Sequence, residues 1–341
     1  MSSTVVEPAL RPPRAAAAGG PWSDRRVELA LAALGVALLA LIAGMLLFVF
    51  GKAWPSFANN GPAWFGAGGS VDLQLQDLFN SPANPKDYEY KLRAWPLLYG
   101  TAITTAFAVV FGLVFALLSA LFIVEFAPPR VRRVLEPVVR LLAAVPSVIY
   151  GLIGILVLVP FVGKNLVTQS REESVAFVVQ LTGASILVAT VILTVMITPI
   201  MIAIITDALR AVPRSWTEGG AALGVNRWRV MWTISVRAVR PAIVAAAVLA
   251  CARALGEAIM LSMVSGSVGF APNPLDGLTF FFEPARPLAA TIVDNAEGLS
   301  VEPFGETIYA FGAVLLVSTG MLSLAGYAAR RSLRRYTLSP E

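Results

Sequence analysis

The sequence contains no histidine and a single cysteine among its 341 residues, and only 14% of those residues are charged. Without an imidazole the chain lacks the commonest metal ligand and the usual base of a serine or cysteine nucleophile. Cys251, standing alone, cannot form a disulfide within the chain. These absences argue against an enzyme, against a bound metal and against any cofactor carried by this chain.

Hydrophobic residues, by contrast, make up 57% of the chain, and the mean hydropathy is +0.74. A helix needs roughly 20 apolar residues to cross the hydrocarbon core of a bilayer, which is about 30 Å thick. Near-continuous apolarity over such windows favours helices over the alternating pattern of barrel strands. We therefore predict an all-α integral membrane protein with six transmembrane helices. They are predicted at residues 29–50, 98–124, 141–162, 183–206, 242–264 and 307–328.

The basic residues are distributed unevenly between the connecting segments. If both termini are cytoplasmic, 18 of the 26 lysines and arginines lie in inner segments, 7 lie in outer loops, and Arg253 lies within a span. Because cytoplasmic segments carry the excess of positive charge, we predict both termini in the cytoplasm and a plasma-membrane or inner-membrane location. Contact with anionic lipid explains the isoelectric point of 9.6, so nucleic acid is not an expected partner.

The spans and tails define the predicted domain organisation. Residues 1–28, rich in proline, alanine and glycine, are predicted to form a disordered cytoplasmic tail. Residues 29–335 form the predicted transmembrane permease domain, which includes a long cytoplasmic loop at 207–240. Residues 336–341 form a second, short cytoplasmic tail.

The loop at 207–240 has the pattern of a folded element. Pro213 ends the preceding helix, and Ser215 with Glu218 forms a capping-box pattern that predicts a new short helix. Gly224 is expected to end that helix, and the stretch NRWRVMWTISVRAV continues with helical spacing up to Pro241. We therefore predict a helix, a turn and a second helix on the cytoplasmic side.

The same loop resembles the coupling loop of permease subunits of ATP-binding-cassette (ABC) importers. The family pattern is Glu-Ala-Ala, three residues, Gly, nine residues, then Ile-x-Leu-Pro, and Glu218, Gly224 and Ile234 match it at the full spacing. Glycines replace the two alanines, valine replaces leucine, and arginine replaces proline. The resemblance implies docking into a groove of an ATPase subunit, and an amphipathic loop on the lipid surface is the alternative. The residues assigned to docking are Glu218, Gly219, Gly220, Gly224, Arg227, Arg229 and Ile234.

The energy source is not encoded in this chain, because the chain contains no GxxxxGK[ST] phosphate-binding loop. Under the resemblance, ATP is used by a partner subunit, a dimeric ATPase on the cytoplasmic side. The implied architecture is the type I ABC importer permease fold.

Three further stretches resemble one branch of these permeases, the phosphate importers of the PstC type. They are LRAWPLLYGTAITTAF in the second span, LLAAVPSVIYGLIG in the third and ARALGEAIMLSMVSG in the fifth. The resemblance implies import of inorganic phosphate by a heterodimer with a homologous second permease, supplied by an external phosphate-binding protein. Another oxyanion or solute is the first alternative, and an ion-coupled secondary transporter is the second.

Arg253 and Glu257 are two charges within the fifth predicted span. Arg253 lies at the midpoint of 242–264, where a charge costs roughly 2.5–3.5 kcal/mol on insertion scales. The four-residue spacing places both side chains on one face of a helix. A guanidinium stays ionised and presents a planar fork that fits the oxygens of phosphate. We predict that this pair lines the substrate pathway, a role that the resemblance also implies, and a structural salt bridge is the alternative.

Proline and glycine positions predict bends and close helix contacts. Pro146 is expected to kink the third span, and Gly151 is expected to let another helix approach closely. Gly256 lies between the two intramembrane charges and is expected to open space beside their face. Helix packing alone is the alternative for these positions.

Overall fold

The computed structural model describes residues 24–81, 84, 87–175 and 180–334. Within these residues nearly all regular structure is helical, which confirms the predicted all-α membrane fold, and the one β-type contact is an isolated bridge between Gly266 and Ala285. The α-helices are α1 (Asp24–Asn60), α2 (Val71–Phe79), α3 (Trp95–Leu121), α4 (Pro129–Ala144), α5 (Ser147–Ile153), α6 (Val159–Asn165), α7 (Gln169–Val175), α8 (Ile186–Arg210), α9 (Arg214–Ala222), α10 (Arg227–Val230), α11 (Val236–Ala238), α12 (Arg240–Leu255), α13 (Ile259–Val264), α14 (Leu288–Asp294) and α15 (Phe304–Arg334). π-Helical turns follow α3, α5 and α10, at Phe122–Phe126, Gly154–Leu158 and Met231–Ser235.

The first helix is longer than predicted. α1 begins at Asp24, so residues 24–28 of the predicted disordered tail are helical. The predicted tail residues 1–23 and 336–341 lie outside the described residues. The chain divides into two compact units between Phe48 and Val49, and every side chain from 25 to 48 is exposed. An apolar helix without a buried face is suited to contact with lipid.

The core of the second unit is built on α3 and α8. α3 carries a small residue at every fourth position, and α8 lies so close to this row that a Cβ added to Gly112 would be 2.7 Å from the Met201 methyl carbon. The row consists of Ala108, Gly112, Ala116 and Ala120, all buried. Lipid is as apolar as the side chains, so association of helices in a membrane depends on close packing, which small residues allow. Most of α8 is accordingly buried.

α12 is also held by close packing along a row of small residues. Ala246, Ala250 and Ala254 recur at every fourth position and are fully buried, and α12 packs against α3, α8 and α15. Gly326 of α15 lies so near that an added Cβ would be 2.7 Å from the Val248 side chain. The helix that ends beside Arg253 is therefore fixed on several sides.

The predicted third span, 141–162, is wrong at its start. α4 ends at Ala144 and α5 begins at Ser147, so Pro146 stands between two helices instead of kinking one. Proline has no amide hydrogen to donate within a helix, and it favours an extended conformation in the residue before it, here Val145 with ψ 130°. The apolar helical segment that could cross the membrane runs from Ser147 to Asn165.

The predicted fifth span, 242–264, is broken. α12 ends at Leu255 and α13 begins at Ile259, so the two intramembrane charges do not lie on one continuous helix. At its other end α12 meets the helical segment Arg227–Ala238 at an angle of 68°. Among the described residues five helices are long and apolar enough to span a membrane, and counting this bent pair as one span makes six.

Contacts between connecting segments define two faces of the second unit. One face, named the coupling face after the predicted coupling loop, carries α4 and α9–α11, and Arg132 of α4 and Arg227 of α10 contact the end of α3. The opposite face carries residues 61–81, 87–94 and 265–303, which Asp72 joins through hydrogen bonds with Gly269 and Arg286. The opposite face is folded around Trp64, which is fully buried.

Candidate functional site

Arg253 lies in the last turn of α12. The backbone amides of Gly256 and Glu257 donate to the carbonyls of Arg253 and Ala254, at 3.1 and 3.3 Å, and these bonds close the helix. A cation in the last turn interacts favourably with the carbonyl end of a helix. The break therefore gives Arg253 a more favourable position than the middle of a continuous span.

Arg253 and Glu257 form a loose ion pair. The distance from Arg253 Nε to Glu257 Oε1 is 3.7 Å, whereas charge-assisted hydrogen bonds between such groups measure about 2.7–2.9 Å. The arginine side chain is 30% exposed and the glutamate side chain is 13% exposed. Within the described part of the chain this is the one ion pair of Arg253, and neither of its terminal nitrogens has a hydrogen-bond partner there. The guanidinium is thus only partly neutralised.

α5 supplies polar groups at the same place. The Ser147 side chain, in the first turn of α5, lies near enough to the Glu257 carboxylate to interact with it. Tyr150 lies near enough to Arg253 to interact with its charge, and its hydroxyl donates to the Leu142 carbonyl at 2.9 Å. Polar side chains from two apolar segments therefore meet at the break.

The glycines near the ion pair differ in how tightly they are packed. A Cβ added to Gly151 would lie 3.1 Å from the Met260 Cα, and one added to Gly154 would lie 2.5 Å from a side chain of α13. At Gly256 an added Cβ would meet only backbone carbonyl oxygens of its own helix, none nearer than 3.6 Å. Gly151 thus lies at a close contact between helices, whereas the space expected at Gly256 is simply the end of α12.

A helix, a turn and further helical segments are present between α8 and α12, with one correction. α9 begins at Arg214 directly after Pro213 and no side chain caps it, so the predicted capping box of Ser215 and Glu218 is wrong. Gly224 has a φ of +72°, a left-handed conformation that glycine adopts without strain, and it ends α9. The turn after α9 therefore depends on the left-handed conformation of Gly224 and not on a capping side chain at the start of α9.

The residues assigned to ATPase docking divide into an exposed group and a packed group. Glu218 and Gly219 are exposed, and a Cβ added to Gly219 would meet nothing within 4 Å. Gly220 faces the following helical segment, where an added Cβ would lie 3.0 Å from Val230 and 3.2 Å from Ile234. Gly220 and Ile234 therefore hold α9 in place, while Glu218 and Gly219 lie on its outer surface.

The two arginines assigned to docking have different surroundings. Arg227 donates to the Glu125 carbonyl, lies 3.5 Å from the Glu125 carboxylate and stacks 5.1 Å over the Phe126 ring. It is therefore bound to the end of α3 within this chain. Arg229 is exposed and has no ion pair among the described residues, so its charge is available at the surface.

Arg132 of α4 and Arg227 of α10 together bind three consecutive carbonyl groups at the π-helical end of α3. Arg132 donates to the carbonyls of Ile123 and Val124, at 2.9 and 2.5 Å, and Arg227 donates to the next carbonyl, that of Glu125. Carbonyls at the end of a helix lack partners along the chain, so side chains have to satisfy them. The sequence reasoning missed this contact because it joins segments far apart in the chain.

The coupling face also exposes large apolar side chains that the sequence reasoning missed. Leu223 is 83% exposed beside the turn, and Trp228 is 49% exposed. Apolar side chains that remain exposed on an otherwise charged segment are typical of a protein-binding surface. The signal was present in the sequence, since three tryptophans (Trp216, Trp228 and Trp232) occur in one loop between two spans.

On the opposite face Arg286 belongs to a closely paired network that was also missed. Its guanidinium contacts the Asp72 carboxylate and lies 3.6 Å from the Asp294 carboxylate. Ser262 of α13 donates to the second oxygen of Asp294. The Arg286 side chain is only 14% exposed, so this network joins α2, α13 and α14.

Glu283 is a buried acid on the opposite face, and no ion pair joins it to a cation in the part of the chain that the structure describes. Its side chain is 0% exposed. Its Oε2 accepts a hydrogen bond of 3.1 Å from the backbone amide of Asn273, and its Oε1 has no hydrogen-bond partner among the described residues. Burial raises the pKa of Glu283 to about 7; the hydrogen bond from Asn273 opposes this shift and the nearby Asp276 carboxylate adds to it. Near neutral pH this carboxyl group therefore holds its proton for much of the time.

Comparison with known proteins gives consistent matches. Residues 112–331 match the model of the family described as binding-protein-dependent transport system inner membrane component. The probable ABC transporter permease protein YqgH of Bacillus subtilis is 31% identical over 302 residues, 88% of each chain. The phosphate transport system permease protein PstC of Xylella fastidiosa is 30% identical over 264 residues, 74% of this chain and 78% of that one. PstC 1 of Mycobacterium tuberculosis is 32% identical over 250 residues, 71% and 72% of the two chains.

Two solved structures share the fold at low identity. A bacterial alginate ABC transporter, in complex with a periplasmic protein bound to an alginate pentasaccharide, has a TM-score of 0.54 at 16% identity, covering 91% of this chain and 97% of the other. The inward-facing MetNI methionine ABC transporter has a TM-score of 0.50 at 17% identity, covering 70% and 96%. At these identities the likeness concerns the fold alone.

Proposed function

Because this chain belongs to the family of binding-protein-dependent transport system inner membrane components, we propose that it lines one side of the pathway of an ATP-driven phosphate importer. It is a membrane permease subunit and not an enzyme, and ATP hydrolysis belongs to a separate subunit. In this proposal phosphate crosses between this chain and a homologous second permease. A cytoplasmic ATPase dimer drives the cycle, and an external phosphate-binding protein delivers the anion.

The observation that carries the proposal is the loose ion pair at the break in the fifth span. An anion within the membrane loses most of its hydration and requires a fixed positive charge. Arg253 offers two terminal nitrogens without a partner in the described residues, in a planar arrangement that suits two phosphate oxygens. The identities with two phosphate permeases, 30% and 32%, support phosphate as the cargo.

Glu257 makes the interaction reversible in this mechanism. Between transport events its carboxylate partly neutralises Arg253 and lowers the free energy of holding a charge in the membrane. When phosphate binds, the same carboxylate repels it and keeps the complex weak enough to dissociate. Ser147 gives Glu257 a second polar neighbour, which the acid retains while the arginine binds the anion.

α9 is the part that the ATPase would move. Glu218 and Gly219 form its exposed surface, Leu223 adds an exposed apolar side chain, and Arg229 adds a charge without a partner among the described residues. The segment Arg227–Ala238 continues from the turn after α9 and meets α12 at a bend of 68°. A displacement of α9 thus passes through this bend to the helix that ends beside the ion pair.

Both termini face the cytoplasm in this proposal, so the coupling face lies inside the cell and the opposite face lies outside. The excess of basic residues in the inner segments supports this orientation. The opposite face, which Trp64 and Arg286 hold together, is then the surface that receives the binding protein.

Uptake by the assembled transporter in proteoliposomes tests the proposal. Labelled phosphate should enter only with ATP inside and the binding protein outside, and excess sulfate or molybdate should leave the rate unchanged. R253A should reduce uptake by on the order of 100-fold or more, because two charge-assisted hydrogen bonds of about 1.5–3 kcal/mol each are lost. R330A changes an exposed arginine of α15, which has no role in this mechanism, and should leave uptake intact.

Three results would contradict the proposal. Normal phosphate uptake by R253A would remove the arginine from the pathway. Inhibition by sulfate or molybdate at stoichiometric levels would assign the site to another oxyanion. Uptake that follows an ion gradient without ATP would assign the chain to secondary transport.

A further inference from the structure

α4 has a surface that the transport mechanism does not use. The helix is 16 residues long and contains no buried residue. Only one of its sides meets the rest of the chain: Leu135 and Val139 pack against the core, and Glu136 pairs with Arg210 of α8. At about 100° per residue these positions occupy roughly a third of the circumference.

A second third of α4 is apolar and exposed. Its residues recur at intervals of three and four positions, which places them in one stripe. They are Val131, Val134, Val138 and Leu141, with exposures of 39, 62, 42 and 69%. Such a stripe in contact with water is unfavourable, since each exposed aliphatic side chain forgoes about 1.5–3 kcal/mol of burial.

The remaining third of α4 is basic. Arg130, Arg133 and Arg140 project from it, all exposed, and none of them has an acidic partner among the described residues. An arginine on the packed side, Arg132, is instead bound to the carbonyls at the end of α3. Arg130 and Arg133 are therefore separate from the contacts that hold the helix in place, whereas Arg140 borders the cleft between α4 and α8 without forming an ion pair among the described residues.

We propose that α4 lies in the membrane interface on the coupling face and binds anionic phospholipid through these three arginines. The chain leaves one apolar span at Phe126 and enters the next at Ser147, so α4 joins them at the level where the headgroups begin. The apolar stripe contacts acyl chains, and the arginines reach the phosphate groups of the lipids. A second permease seated on the apolar stripe would leave the basic side without counter-charge, which favours lipid as the occupant.

The test uses the full complex reconstituted in equal parts of phosphatidylcholine and phosphatidylglycerol, with retained lipid measured by mass spectrometry after extraction in detergent. The wild type should retain phosphatidylglycerol preferentially. R130Q/R133Q/R140Q should lower this preference by on the order of 100-fold at low salt, since each basic residue near an anionic surface contributes about fivefold. R130K/R133K/R140K should keep it, because charge at these exposed positions is what the lipid recognises. Excess inorganic phosphate should not displace the lipid.

A second measurement locates the apolar stripe. A fluorescent label on L141C, in a C251A background, should be quenched by a nitroxide carried on lipid and not by a soluble quencher. Unchanged phosphatidylglycerol retention in the glutamine variant would overturn the proposal. So would a label at position 141 that neither quencher reaches, which would identify the second permease as the occupant, and displacement of the lipid by inorganic phosphate.

Discussion

Arg253 and Arg286 are two partly buried arginines in one chain, and their surroundings differ. Arg286 contacts the Asp72 carboxylate, lies 3.6 Å from Asp294 and is 14% exposed. Arg253 has one carboxylate, that of Glu257, at 3.7 Å, and is 30% exposed. An arginine with two carboxylates is committed to the fold, whereas an arginine with one distant carboxylate retains capacity for an anion from outside.

Glu283 extends the comparison to a buried acid that has no cation beside it among the described residues. It relies on one hydrogen bond from the Asn273 amide and on a raised pKa. The three groups form a series. Arg286 has two carboxylates beside it, Arg253 has one carboxylate at a longer distance, and Glu283 avoids an unpaired charge by holding a proton. Each member of the series makes a different prediction.

The largest contrast is expected between R286M and R253M. R286M leaves the Asp72 and Asp294 carboxylates without their cation and should lower the free energy of unfolding by about 2–3 kcal/mol, somewhat below the range for fully buried pairs. R253M also leaves a carboxylate without its cation, but Glu257 is only loosely paired and R253M removes one charge from the membrane, so the thermal unfolding midpoint should fall less than in R286M while uptake is lost. Thermal unfolding and phosphate uptake, measured on both variants, separate the two roles. Equal destabilisation by both variants would make Arg253 a structural residue.

The pH dependence of stability tests whether Glu283 holds its proton in the folded protein. The folded pKa of Glu283 is about 7, above the ordinary value of 4.5, so the folded protein keeps a proton that the unfolded chain releases. The stabilisation is complete below about pH 4.5 and is lost as the pH rises through 7. The unfolding midpoint should therefore fall between pH 5 and pH 8 in the wild type and fall less in E283Q. E297Q, which changes an exposed acid on the same face, should behave as the wild type.

A variant of Glu257 tests whether its loose pairing with Arg253 limits the affinity for phosphate. E257Q removes a negative charge next to the bound anion, which is worth about 1–2 kcal/mol at an intermediate dielectric, so KM should fall about 5- to 30-fold. Turnover should fall as well, because release becomes slower. Steady-state uptake over a range of phosphate concentrations measures both parameters. A rise in KM would mean that the carboxylate helps to bind the anion rather than to release it.

The smallest effects are expected at the glycines beside the ion pair. G151A brings a methyl group within 3.1 Å of the Met260 Cα and should cost about 1–2 kcal/mol of stability. G256A meets no atom nearer than 3.6 Å and should change stability by less than about 0.5 kcal/mol. Thermal unfolding of the two variants gives the difference. If G256A were the more disruptive, the break in the fifth span would depend on glycine itself.

Four of the six predicted windows, the first, second, fourth and sixth, fall on single long apolar helices, because apolarity adds up along the chain. The break after Leu255 could not be predicted, because the segments on both sides of it are apolar and one glycine does not specify a helix end. α4 was partly assigned to the third span for a related reason: Leu141 and Leu142 are apolar, although the helix that contains them ends at Ala144.

The same limit applies to the charged groups. The Arg253–Glu257 pair follows from a spacing of four residues, which the sequence displays directly. The partners Arg286 and Asp72 are 214 residues apart, and Arg227 and Glu125 are 102 residues apart, so no local pattern connects them. Local patterns thus identified the partly paired arginine and missed the fully paired one.

The contact of Arg132 and Arg227 with the end of α3 has a mechanical consequence. Three successive carbonyl groups are bound from two directions, so the adjoining ends of α3, α4 and α10 are fastened to one another. α3 also packs closely against α8 along its row of small residues. We therefore expect these helix ends to move together, as in a switch between two packed arrangements, rather than one after another.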